Sequence, residues 1–179
     1  MSSVMKKERA GVQSPARSRS LATDVAICLS AAAALGHAVT TPDHIEWWRA
    51  SGIFFAFLAV AQGWYAWHLF RNRATPWTLM AGIWGNVGVI VLYVVSRTRG
   101  LPGSPPIGAH GAPWAPGRAI IPGAVEGIGT LDVVVLVAEL LLVVVLVGLL
   151  PARHRRHTTT ALMWTGLAMF GLAALGVLA

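Results

Sequence analysis

Apolar positions along this chain fall into five long runs rather than short amphipathic segments. Read end to end, they cover about 21–39, 47–70, 77–96, 131–150 and 160–179. Each is close to the roughly 20 predominantly apolar residues that a helix needs to cross the hydrocarbon core of a bilayer. Polar residues gather between the runs. Residues 1–20 are polar and basic and are expected to form a disordered tail. The 40–46 link is short and acidic, and the 71–76 turn holds Arg71, Arg73 and Pro76. Residues 97–122 form a long Gly/Pro-rich loop, and 151–159 is a basic turn. The pattern predicts an all-α fold, a polytopic membrane helix bundle over 21–179 with about five transmembrane helices.

A few polar residues interrupt the apolar runs, and they recur at helical spacing. Glu139 stands near the middle of the fourth run, where a charge costs roughly 2.5–3.5 kcal/mol on insertion scales. Asp132 lies seven residues earlier, on the same helical face. In the second run, Ser51, Phe55, Leu58, Gln62 and Tyr65 share a stripe, and in the third Asn86, Tyr93 and Arg97 do so. At about 1.5 Å of rise per residue, Gln62, Asn86 and Glu139 reach similar depths, so a buried polar network is expected there. Arg97 ends its stripe within reach of Asp132 or Glu126. Simple interhelical hydrogen bonding is the ordinary account of Gln62 and Asn86.

Composition strengthens the membrane reading, and charge orients it. Hydrophobic residues make up 55% of the chain and charged residues 12%, about half the charged share of a soluble domain. Mean hydropathy is +0.63. With the N-terminus in the cytoplasm, ten of the 14 basic residues lie inside, and only Arg49, Arg97, Arg99 and Arg118 lie outside. That satisfies the positive-inside rule and leaves the C-terminus outside. The net charge of +7 thus reads as a topology signal and an attraction to anionic headgroups of a lipid bilayer. It does not read as nucleic-acid binding, because the basic tail lacks interleaved aromatics and a folded binding module. One cysteine excludes an intrachain disulfide, and Cys28 in its apolar run is expected to be a small buried hydrophobe. Gly36 and Ala38 would suit a cleaved signal peptide, but Asp24 and His37 argue against cleavage.

The outer surface gathers the chemically versatile side chains. His37, Asp43, His44, Glu46, His110, Glu126 and Asp132 all fall there. Imidazoles with carboxylates suit a transition metal such as zinc, copper or iron, and His37, His44, Glu126 and Asp132 are the candidate ligands. His37 and His44 would align on a continuous helix, but Pro42 between them argues against continuity. Haem is disfavoured, because His68 has no second histidine at its depth. Trp47, Trp48, Trp77 and Trp164 mark water boundaries, whereas Trp64, Trp67 and Trp84 are expected to fill the core. Gly82, Gly85 and Gly88, with Gly166, Gly171 and Gly176, are expected to let helices approach closely. No phosphate loop, nucleophile elbow or zinc-protease motif is present, so the sequence offers no residues for an enzyme assignment.

Two functional readings lead, and a membrane-embedded enzyme is a weaker third. In one, an outward-facing cavity binds a metal ion or relays protons through His37, His44, Glu126, Asp132 and Glu139, with Arg97 balancing their charge. In the other, the chain is a structural or accessory subunit that docks a membrane-protein partner or a second copy of itself. The order His37…His44-x-x-Trp47…Gly52-x-x-Phe55…Gln62…Asn86…Ser96-Arg97-Thr98-x-Gly100-Leu101-Pro102…Glu126-x-x-Gly129-x-x-Asp132…Glu139 resembles a group of small multispan integral membrane proteins of high-GC Gram-positive bacteria. The resemblance covers roughly residues 35–150, and the Ser-Arg-Thr-x-Gly-Leu-Pro run is its most specific part. The proline-rich stretch after Gly103 departs from it. The resemblance implies a multi-pass protein of the bacterial plasma membrane whose histidines and acids matter together. It implies no substrate.

Overall fold

The computed structural model describes residues 19–98, 101–103 and 128–178. These form an all-α bundle of five helices: α1 (Leu21–Trp47), α2 (Arg49–Phe70), α3 (Pro76–Thr98), α4 (Thr130–Leu149) and α5 (Ala152–Leu178). Among the described residues, α1 to α4 are long and apolar enough to cross a membrane. The fifth expected span lies within α5, which starts earlier than its apolar run, in the basic segment of Arg153, Arg155 and Arg156. The tail before residue 19 and the loop residues 104–127, with His110 and Glu126, lie outside the described residues.

Helix α1 begins at Ser20, whose side chain accepts the Thr23 amide, and Asp24 follows in the first turn. Both favour a helix N-terminus, the first by capping and the second by its charge. The helix then continues through Pro42 to Trp47, so the 40–46 link expected from the sequence is helical instead. Proline removes one backbone donor and crowds the carbonyl four residues earlier. Side chains reinforce the ladder around it. Thr40 Oγ1 donates to Gly36 O at 3.1 Å, and Thr41 Oγ1 donates to His37 O at 2.7 Å. His44 Nδ1 contacts Thr40 O at 2.9 Å. Such local bonds are what allow proline inside a membrane helix.

One extended residue, Trp48, separates α1 from α2. Its amide bonds to His44 O and its carbonyl accepts the Gly52 amide, so the chain reverses in a single step. A β-carbon at residue 52 would meet the Ile45 backbone nitrogen and Cα at 2.6 Å, which leaves room only for glycine at this approach. The two helices therefore run back antiparallel, with Ser30 of α1 bonded to Gln62 of α2. Helix α4 packs on α1, α3 packs on α4, and α5 lies against α3 and the edge of α4.

The two halves of the bundle differ. Around the start of α1, the end of α2, the start of α3 and the end of α4, the core is aliphatic: Ala26, Leu69, Leu79, Ile83, Leu142 and Leu146 are all buried. Arg19, Arg71, Arg73 and Arg153 cluster beyond this end. Polar side chains are buried in the other half. On the outer surface of the bundle, Trp64 and Trp67 are 61% and 55% exposed, Trp84 is exposed too, and so is Cys28. This corrects the expectation that they fill the core. In lipid the outside of a bundle is as apolar as its inside, so hydrophobicity alone does not bury a residue. The glycine expectation needs the same correction. Gly82 faces Tyr65, but Gly85, Gly88, Gly166 and Gly171 have open space where a β-carbon would go.

Candidate functional site

Gly36 decides where the polar residues meet. A β-carbon there would overlap the Val135 side chain of α4, so its absence lets α1 and α4 approach at this level. His37 follows Gly36 directly, and Glu139 stands one turn beyond Val135 on the same face of α4. The close approach thus brings two distant residues into contact: His37 Nε2 lies 2.9 Å from Glu139 Oε1. Both are almost wholly buried, at 3% and 2% exposure.

Gln62 reaches the same oxygen from α2. One hydrogen of its amide nitrogen is directed to Glu139 Oε1 at 3.2 Å and the other to Asn86 Oδ1 at 3.1 Å. Asn86 in turn donates to the Gly82 carbonyl one turn back, at 2.7 Å. Ser30 Oγ donates to the Gln62 carbonyl at 2.8 Å and lies 3.3 Å from its Oε1. Four helices therefore contribute to one buried chain of bonds. Such groups are costly in hydrocarbon unless paired, and here each bond satisfies two of them.

Above this layer lies a cavity of about 230 Å³ between α1, α2, α3 and α4. His37 and Glu139 line its deep end, and Arg97, Asp132, Trp47 and Trp48 line it toward the α1–α2 turn. Arg97 Nη2 bonds Asp132 Oδ2 at 3.1 Å, and the guanidinium also sits 5.0 Å from the centre of the Tyr93 ring. Asp132 accepts the Gly129 amide at 2.8 Å as well, which caps α4. The walls are largely aromatic and aliphatic. Phe55 stands against both histidines, stacked on His44 at 4.0 Å between ring centres and edge-on to His37 at 5.4 Å.

His37 is held at one ring nitrogen. Its Nδ1 is buried and bonds no described residue, although its Nε2 is held by Glu139. An imidazole fixed through one nitrogen presents the other as a donor or an acceptor according to where its hydrogen sits.

The continuous α1 aligns His37 and His44, and both line the cavity. Asp132 is held by Arg97 rather than directed to either histidine. Glu126 lies outside the described residues. Among the described residues, no group of three or more histidine, cysteine or acidic side chains is close enough to hold a metal ion. Gln62, Asn86 and Glu139 join in one network, but Asn86 reaches Glu139 only through Gln62. Tyr93 and Arg97 belong to the cavity above. His68, the histidine weighed for haem, contacts the Arg73 carbonyl at 3.1 Å and is half-buried. Sequence reading missed His37 as the partner of Glu139. It placed His37 at the end of a span, and the signal against that was the unbroken heptad His37–His44 across Pro42.

Models of known protein families, curated proteins and solved structures give no match to this chain.

Proposed function

We propose that this protein is an integral membrane protein that binds a small molecule in a one-sided cavity and exchanges a proton with it through His37 and Glu139. The observation behind the reading is the buried 2.9 Å contact between His37 Nε2 and Glu139 Oε1, with His37 Nδ1 left without a described partner at the edge of the cavity. One-sidedness follows from the core. Below the polar layer, Leu69, Ile83, Leu142 and Leu146 are fully buried, and the hydroxyls beside them are held on local carbonyls, Tyr65 on Thr78 O and Thr158 on His154 O. Binding and local proton exchange therefore fit better than conduction across the bilayer. By the positive-inside rule, the basic residues at the plugged end favour the cytoplasm for that end, so the cavity opens outward. Of the sequence-based ligand set, His37 and His44 become cavity groups, and Asp132 with Arg97 becomes a neutralised pair at the rim.

Infrared difference spectroscopy of the protein in lipid, between acidic and alkaline media, tests the proposal. A carboxyl C=O band that changes in the wild type and is missing in Glu139→Gln is the expected result. Identical difference spectra for the two proteins would overturn it.

A further inference from the structure

Resting on the binding reading above, we infer that the cavity takes a quinone-type ring, oxidised or reduced, with one ring oxygen hydrogen-bonded to His37 Nδ1. The walls select the shape of the ligand. Trp47, Trp48, Phe54, Phe55 and Tyr93 all face the cavity. Aromatic side chains in this number favour a flat, apolar partner that meets them in offset or edge-on contact. A strongly hydrated polyol would lose its water to a wall with few donors. An acyl chain would fill the space but leave His37 Nδ1 buried and unbonded. A ring bearing oxygen answers both demands.

Size agrees. A cavity of about 230 Å³ has room for a small ring system rather than a large ligand. The His37–Glu139 pair also suits both oxidation states. With the shared hydrogen on Nε2, Nδ1 carries a lone pair and accepts a quinol O–H. With one more proton in the pair, so that the carboxyl and Nδ1 each carry a hydrogen, the imidazole donates to a quinone carbonyl. The pair can therefore offer one hydrogen bond to either form of the ligand. The inference concerns binding alone and assigns no electron donor.

The test uses the full chain in lipid nanodiscs, with menadione as the quinone probe and equilibrium dialysis against empty nanodiscs. Three proteins are compared: wild type, His37→Phe, which keeps the contact with Phe55 but removes the nitrogens, and Leu92→Trp, which fills the cavity beside Tyr93. Saturable uptake by the wild type, weakened at least tenfold in His37→Phe and abolished in Leu92→Trp, is expected. The ring nitrogens of His37, followed by ¹⁵N resonance, should shift on saturation in the wild type. Uptake that rises linearly as in empty nanodiscs, or saturable uptake indifferent to Leu92→Trp, overturns the inference. Non-saturable uptake with an intact Glu139 infrared signal removes the quinone and leaves the proton-exchanging cavity standing. A missing infrared signal removes the cavity reading itself.

Discussion

Replacing His37 and Glu139 singly and together measures the bond on which the site depends. Glu139 Oε1 has two donors, His37 Nε2 at 2.9 Å and Gln62 Nε2 at 3.2 Å. Glu139→Leu orphans both where they are almost wholly buried, and each unsatisfied donor costs about 1–3 kcal/mol. Relief of a buried carboxyl offsets part of that, so a loss of about 2–3 kcal/mol is expected. His37→Phe removes one of the two bonds and keeps the ring against Phe55, for a loss of about 1 kcal/mol. In the double variant, the leucine at position 139 no longer orphans an imidazole, and removing both partners of a buried polar pair is often nearly neutral. The cycle should therefore show a coupling of about 1–1.5 kcal/mol, toward the upper end for hydrogen bonds between membrane helices. Reversible unfolding in mixed SDS and mild-detergent micelles, followed by helical circular dichroism, supplies the four free energies. Additivity within about 0.5 kcal/mol would refute the reasoning, because it would mean the two side chains do not interact.

Other expectations follow from single contacts. Gly36→Leu should separate α1 from α4 and cost about 1–3 kcal/mol by overpacking, and Val135→Ala should restore part of the loss in the same unfolding assay. Arg97→Met should destabilise by about 3 kcal/mol, since Asp132 is only 9% exposed and would keep its charge without the cation. Asp132→Asn on that background should recover most of it. Cys28 lies on the lipid-facing side of α1, away from the water that a reactive thiolate needs, so in intact membranes neither N-ethylmaleimide nor a charged maleimide should label it until the protein is unfolded in SDS. Equal labelling by both reagents would place that face in water.

Much of the fold could be read from hydrophobic patterning, because a bilayer rewards long apolar runs regardless of partners. All five helices fall where such runs stand, and errors in their ends trace to local chemistry. Pro42 suggested a break, yet the hydroxyls of Thr40 and Thr41 and the ring of His44 bond the carbonyls around it. Which side of a helix faces inward was less legible. Trp64, Trp67 and Cys28 face outward because lipid accepts them as readily as a core does. Polar residues gave the better guide, since they alone lose by facing lipid. Gln62, Asn86 and Glu139 were recognisable for that reason. The pairing of His37 with Glu139 was not. It depends on one missing β-carbon at Gly36, a close approach that spacing along either helix does not reveal.

The central claim is a cavity open only at the end away from Arg19, Arg71, Arg73 and Arg153, and cysteine accessibility tests it most directly. On a Cys28→Ala background, Ser51→Cys places a thiol in the cavity lining, and Thr78→Cys places one at the opposite end near Arg73. In intact cells a charged, membrane-impermeant maleimide should label residue 51 and leave residue 78 untouched until the membrane is opened. Labelling of 78 alone, or of both from outside, would contradict the account.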